Sequence, residues 1–280
     1  MVGVKRKRYY RGIIKKMIDA KKKFGQNFLT DKNLLQKIVR DSFIVDDCIE
    51  VGPGRGALTN FIVKNAKKVV AYEIDESLKK NLNPIEKENS NLCVVYQDFL
   101  DIDLVNERDI HKLSDNVTLI GNLPYYITTP IIFKFIETTY IKKATIMVQK
   151  EVGERLSAKE NTKQYNALSV IIQYQTDVKK VVSVDKKMFN PVPKVDSVVI
   201  SIVKKDNIDN VFKDKFISFV RVSFVQKRKT LVNNLAEAYN ISKEEIAKRL
   251  KKFGLDEKVR AEQIDVNTFT KLTEVFDDVI

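Results

Sequence analysis

An amide, free backbone carbonyls and an aromatic ring converge in Gly121-Asn122-Leu123-Pro124-Tyr125-Tyr126. An amide oxygen and a carbonyl can accept both hydrogens of an exocyclic amino group, while a ring stacks on the base that carries it. The stretch follows Val117-Thr118-Leu119-Ile120, an apolar run that reads as a buried strand stopped by Gly and Pro. The group therefore falls at a strand's C-terminal end, where open α/β sheets bind ligands. On its own the stretch also reads as a strand-ending turn with a surface Tyr.

Three more ligand-type groups stand at the ends of earlier apolar runs. Asp47-Cys48-Ile49-Glu50-Val51 leads into Gly52-Pro53-Gly54-Arg55-Gly56, and a helix begins near Leu58. Glycines let backbone amides approach a ligand, and a helix N-terminus favours a carboxylate or phosphate. Lys68–Tyr72 ends at Glu73, 21 residues beyond Gly52, where an acid can bind both ribose hydroxyls. Leu92–Tyr96 ends at Gln97-Asp98-Phe99, where Asp98 could accept from an adenine amine with Phe99 beside the ring. Singly these are turns and helix caps. At successive strand ends they imply an adenosine-type cofactor. Gly52–Ala57 also satisfies the loose dinucleotide pattern G-x-G-x-x-G/A. Glu50 can meet an ammonium group, however, and the Asn122 motif offers an amine site but no hydride partner.

The elements that must position these groups follow from periodicity. Thr30 or Asp31 caps a helix with Leu34, Leu35, Ile38 and Val39 on one face, and Phe24 and Phe28 before it are either ligand contacts or core anchors. A further helix starts at Thr128-Thr129-Pro130, and Ala144–Val148 is another strand. Val178–Val184 and Val195–Val203 alternate as strands, expected as an antiparallel pair at the sheet edge. Between them, Phe189-Asn190-Pro191-Val192-Pro193-Lys194 is stiffened by two prolines. Phe189 is either a second stacking face or a loop anchor packed on the core. From about residue 207 the pattern is helical throughout. The expected organisation is a basic arm over 1–20, an α/β domain over 21–206 and a small all-helical domain over 207–280.

Length and charge narrow the function classes. The chain has 280 residues and a net charge of +13. Residues 1–23 hold ten Lys/Arg against one acid, Asp19, which accounts for +9 of that excess. A basic arm on a nearly balanced body suggests a polyanionic partner such as nucleic acid, although a solvated tail has the same composition. Met17 is a conceivable alternative start. Cys48, Cys93 and the single His111 give neither zinc spacing nor a disulfide framework, so no metal site is expected, and a reducing compartment is. No apolar run approaches a membrane span, and the N-terminus lacks a secretory h-region.

From about Lys21 to Ile280 the chain resembles the rRNA adenine dimethyltransferase family of the KsgA type, with the macrolide-resistance Erm enzymes as relatives. The resemblance rests on Phe24–Leu29, Glu50–Gly54, Tyr72–Asp75, Gln97–Phe99, Asn122–Tyr125 and Phe189–Ser197. It implies a Rossmann-like class I methyltransferase sheet with a small all-helical C-terminal domain, and S-adenosylmethionine as methyl donor. The family's cofactor contacts carry over to Asn27, Leu29, Gly52, Glu73, Asp98 and Asn122, with Gly54 beside them in the glycine loop. Its catalytic set carries over to Asn122, Leu123, Pro124 and Tyr125, with Phe189 expected to complete a sandwich around the base. The implied substrate is two adjacent adenosines near the 3′ end of small-subunit rRNA, each methylated twice at N6, in the immature small ribosomal subunit. Leu123 and Asp196 stand where Erm proteins usually carry Ile and Asn, which favours this branch over large-subunit rRNA. Lys21, Lys22, Lys23, Arg221, Lys227, Arg228 and Lys229 are expected to track phosphates. A cytoplasmic monomer completes the expectation. The competing readings are an Erm-type resistance methylase, an NAD oxidoreductase and a non-catalytic ribosome-assembly or transcription factor.

Overall fold

The structure, a computed structural model, describes residues 27–280. The basic arm, Met17, Lys21–Lys23 and Phe24–Gln26 lie outside the described residues. The chain divides into two compact units. One holds the described chain up to Lys150 together with Lys179–Val203; the other holds Glu151–Val178 and Lys204–Ile280.

The first unit is built on a mixed sheet. The sheet's strands are β2 (Asp47–Val51), β3 (Val69–Glu73), β4 (Leu92–Tyr96), β5 (Val117–Asn122), β6 (Ile141–Gln149), β7 (Thr176–Val184), which belongs to this unit from Lys179, and β9 (Ser197–Lys204), which belongs to it up to Val203. They lie in the order β4-β3-β2-β5-β6-β9-β7. β2 to β6 are mutually parallel, and β9 runs antiparallel to β6 with Gln149 opposite Ser197. The five parallel strands end on one edge, and β9 begins there. β2 and β3 are buried throughout, as strands covered on both faces must be. A separate two-stranded ribbon pairs β1 (Phe28–Leu29) with β8 (Phe189–Asn190) and sets Leu29 opposite Phe189.

Helices α1 (Lys32–Asp41), α2 (Thr59–Ile62), α3 (Lys79–Glu88), α4 (Leu104–His111) and α5 (Thr128–Glu137) intervene between the strands. Asp31 caps α1 by accepting from the Leu34 N–H at 2.8 Å. α1 buries Leu34, Leu35, Ile38 and Val39 in the core cluster that also contains Leu29, Ile62, Ile120 and Phe189. Burying such side chains stabilises the unit by about 1.5–3 kcal/mol each.

The second unit is helical: α6 (Lys150–Leu156), which begins at its border, α7 (Ala167–Gln175), α8 (Asn210–Ser223), α9 (Leu231–Tyr239), α10 (Lys243–Lys251) and α11 (Val266–Val275). The expected α/β domain over 21–206 includes Glu151–Val178. The structure places it here instead. Tyr174 stacks on Phe216 at 4.0 Å, and the Tyr165 hydroxyl donates to the Ile264 carbonyl at 2.8 Å. No change of composition marks this crossing, because apolar positions such as Val170 and Ile172 serve either core equally well.

Candidate active site

The parallel strands deliver their C-terminal loops to one cavity of about 580 Å³. It is lined by Asn27–Thr30, by the glycine loop with Val51, by Tyr72-Glu73-Ile74, by Gln97-Asp98-Phe99 and by Asn122–Ile127. That volume suits a cofactor-sized ligand. The strands that carry these loops approach one another closely. A Cβ on Gly121 would lie 2.6 Å from the Val51 carbonyl oxygen, so β5 can pass β2 here only as glycine. Gly54, at φ +59°, sits under the Phe28 ring, and the Arg55 guanidinium lies 4.3 Å from that ring's centroid.

Two acids face the loop differently. Glu73 is buried, and its carboxylate accepts from the Gly54 N–H at 3.0 Å and the Asp75 N–H at 2.9 Å. The acid at the end of β3 thereby holds the glycine loop in place. Burial raises its pKa, and those backbone donors oppose the rise. Glu50 lies on β2 and is not among the lining residues. It is 1% exposed, and neither carboxylate oxygen has a hydrogen-bond partner among the described residues. Burial pushes its pKa up to about 8, and the Glu73 charge adds to this. The Thr59 hydroxyl pulls the other way without reaching hydrogen-bonding geometry.

Asp98 and Phe99 sit in the turn after β4, where Asp98 accepts from the Leu100 N–H at 2.9 Å and Phe99 packs on Tyr72 with centroids 5.4 Å apart. Lys134 of α5 fastens this turn from behind. Its ammonium donates to the Leu100 carbonyl at 2.9 Å and to the Ile102 carbonyl, and lies 5.3 Å from the Phe99 ring centroid. Burial lowers the Lys134 pKa to about 8 against the pull of Asp101, Asp98, Asp103 and Glu137. Nothing in the local sequence around Lys134 signals this contact, because it joins α5 to a loop more than 30 positions earlier.

At the end of β5 the Asn122 amide nitrogen donates to the Asn27 carbonyl at 3.0 Å. The bond uses one N–H of the NH₂ group, which sets the orientation of the amide and leaves its oxygen as an acceptor with no partner among the described residues. Leu123 is buried, and its N–H reaches the Met147 carbonyl at 3.4 Å, which seats the turn on β6. Tyr125 is half-buried on the cavity wall, and its hydroxyl shares a hydrogen bond with Ser197 at 2.9 Å. Tyr126 also lines the cavity. Burial and the Asp98 charge raise its phenol pKa.

The structure thus brings Asn27, Leu29, Gly52, Gly54, Glu73, Asp98, Asn122, Leu123, Pro124 and Tyr125 to one cavity. It does not bring Phe189 there. That ring is 3% exposed and belongs to the core cluster, because pairing of β8 with β1 turns it inward opposite Leu29. The expected second stacking face is therefore a core anchor in this structure. In the helical unit, Lys227 lies 3.8 Å from Glu262, Lys229 pairs with Glu237 at 3.0 Å, Arg228 is exposed and Arg221 is half-buried. Among the described residues no cluster of His, Cys, Asp or Glu could hold a metal, and no helix is long and apolar enough to cross a membrane.

A glycine loop and two acids on consecutive parallel strand ends, joined by an amide and a ring on the next strand, define a Rossmann-like methyltransferase. The chain matches the model of the ribosomal RNA adenine dimethylase family over residues 17–278. It is 54% identical over 257 residues to a ribosomal RNA small subunit methyltransferase A of Onion yellows phytoplasma (strain OY-M), covering 91% of this chain and 95% of the relative. A protein of the same name from Bacillus mycoides (strain KBAB4) is 42% identical over 268 residues, 90% of each chain. Among solved structures, a dimethyladenosine transferase from Plasmodium falciparum aligns with a TM-score of 0.75 and 28% identity over 90% of this chain and 98% of its own. The 23S rRNA methyltransferase ErmE aligns at 0.73 and 25% identity over 90% and 100%. The protein belongs to the ribosomal RNA adenine dimethylase family. It is an enzyme, a methyltransferase, and its family and fold imply the use of S-adenosylmethionine.

Proposed function

We propose that the protein transfers methyl groups to the N6 amines of two adjacent adenosines in the loop near the 3′ end of small-subunit rRNA, twice at each. It acts as a cytoplasmic monomer on the immature small ribosomal subunit. The observation that carries this reading is the orientation of Asn122. One of its N–H groups is held by the Asn27 carbonyl, which orients the amide and leaves its oxygen to accept from an incoming amine. The 54% and 42% identities to proteins named for the small subunit, against 25% to ErmE, favour the small-subunit branch over a large-subunit target.

The residues present fit the implied cofactor. The buried Glu73 carboxylate stands at the end of β3 where ribose hydroxyls bind. Asp98 and Phe99 stand where an adenine would lie, and the glycine loop leaves room for the backbone to approach. Glu50 is an unpaired buried acid behind that loop, suited to an ammonium group. When bound, S-adenosylmethionine supplies an electrophilic methyl group on a sulfonium.

Adenine's amine is a poor nucleophile because its lone pair is delocalised into the ring. The Asn122 oxygen and the Leu123 carbonyl can accept its two hydrogens, which favours a pyramidal nitrogen with its lone pair exposed. Both acceptors are held in advance, so their contribution is positioning and electrostatic stabilisation. No strong base is needed for attack on a sulfonium methyl. Tyr125 supplies a stacking face worth about 1–3 kcal/mol, comparable to the few kcal/mol needed to flip an unpaired base. After the first transfer one amine hydrogen remains, so one acceptor is vacated and the new methyl must fit beside it. Lys21–Lys23 and the cluster Arg221, Lys227, Arg228 and Lys229 track phosphates, which makes binding steeply salt-dependent.

The test supplies labelled S-adenosylmethionine with unmethylated small ribosomal subunits and, separately, naked large-subunit rRNA, followed by mass mapping. Dimethyladenosine at two adjacent positions near the small-subunit 3′ end is expected. Label in large-subunit RNA alone would overturn the substrate assignment.

A further inference from the structure

We propose that Ser197 is a positioning residue for methyl transfer, acting through its hydrogen bond with the Tyr125 hydroxyl to fix the ring on which the target base stacks. The inference rests on the reading of Tyr125 as the stacking residue and names what holds it.

Ser197 is the first residue of β9, and it is 1% exposed. β9 runs antiparallel to β6, so it starts on the edge where the parallel strands end. This topology carries a residue 72 positions after Tyr125 to within 2.9 Å of its hydroxyl. Ser197 stands opposite Gln149 in the β6–β9 ladder, and the residue before it is held twice. The Asp196 carbonyl accepts from the Lys150 N–H at 3.0 Å, and the Asp196 carboxylate accepts from the Lys186 N–H at 3.1 Å. The Ser197 hydroxyl is therefore an anchor on a strand end, not on a mobile loop.

The neighbouring ring shows the contrast. Tyr126 is 39% exposed and has no hydrogen-bond partner among the described residues. Of the two adjacent tyrosines on the cavity wall, only Tyr125 is tethered at its far end. A ring held before the base arrives loses little rotamer freedom when the base stacks on it. It also sets the base plane relative to the Asn122 oxygen, and small errors in that geometry cost rate. A serine that merely satisfied a buried hydroxyl would affect folding and leave the chemistry alone.

A double-mutant cycle separates these roles. Wild type, Ser197→Ala, Tyr125→Phe and the double variant are assayed on unmethylated small subunits. Cofactor Kd is measured by calorimetry, and the thermal midpoint of each protein is recorded. Each single variant should lower kcat about 5- to 10-fold, the scale of one hydrogen bond. The double variant should lose no more than either single one, and cofactor Kd should stay within about 2-fold throughout, because no cofactor group depends on this bond. Ser197→Cys keeps the side-chain volume but bonds weakly, so it should reproduce the alanine loss. Multiplying losses in the double variant, or a wild-type rate in Ser197→Ala and Ser197→Cys, would overturn the proposal. If wild type labels only large-subunit RNA, the substrate assignment fails by itself, and the same cycle on that RNA still decides whether Ser197 acts through Tyr125.

Discussion

The cofactor side and the target-base side of the cavity are built by different means. The glycine loop, Glu73 and Asp98 come from three parallel strands in chain order, each followed by its own loop. The base side is assembled from distant segments. Asn122 is oriented by Asn27, 95 positions away, and Tyr125 by Ser197, 72 positions away. On the cofactor side the groups themselves come from strand ends and backbone amides, and a distant residue, Lys134, only fastens the turn that carries Asp98. Transfer to an amine needs an acceptor and a ring held at fixed angles, and that takes contacts from other parts of the sheet.

Asn122→Ala is the sharpest way to break this comparison. Removing the acceptor should lower kcat by about 10²–10³, as loss of one preorganised transition-state group does, while RNA affinity changes little. Filter binding beside single-turnover kinetics checks it. Equal losses in both would make Asn122 a structural residue. The two aromatic candidates divide in the same way. Phe189→Ala should cost about 3–5 kcal/mol of stability because it empties a core position, as denaturant titration would show. Tyr125→Ala should cost less stability than this, about 1–3 kcal/mol from the stranded Ser197 hydroxyl, and lower turnover far more.

Glu50 tests the cofactor side through pH. The folded, ligand-free protein keeps its proton up to about pH 8, whereas the unfolded chain releases it near 4.5. Stability from this group is therefore fully present below pH 4.5 and is lost progressively as pH rises to about 8. Glu50→Gln should flatten that decline, an effect on the order of a few kcal/mol across the window. An unchanged slope in the variant would show that Glu50 does not titrate there.

Smaller effects follow at the periphery. Lys134→Met removes the fastening of the Asp98–Ile102 turn and should weaken cofactor binding about 3- to 10-fold, the scale of one or two hydrogen bonds. A calorimetric Kd equal to wild type would remove Lys134 from the site. Smallest is the salt response of the helical cluster. Arg228 has no ion-pair partner among the described residues, whereas Lys229 is paired with Glu237. Arg228→Ala should reduce the slope of log K against log salt by about 0.7–0.9, and Lys229→Ala by less.

The acids and glycines of the cofactor side were legible because their spacing follows a local rule: apolar strand, then loop, then helix. The amide-and-ring stretch at Asn122 was legible for the same reason. Family resemblance added the substrate. Phe189 was not decided by its neighbours in the chain, since a phenylalanine in a proline-stiffened loop can face a ligand or a core. Its pairing across from Leu29 settles the choice, and that pairing joins segments 160 positions apart. The membership of Glu151–Val178 in the helical unit was hidden for a similar reason, because an apolar helix face is the same whichever core receives it. The sequence alone determined the strands, the order of their ligand-bearing ends and the chemistry those groups can do, all of which depend on contacts within a few residues. Only the tertiary structure decided which way the Asn122 amide faces, what tethers Tyr125, and that Phe189 is buried, because each depends on segments that meet only once the sheet has closed.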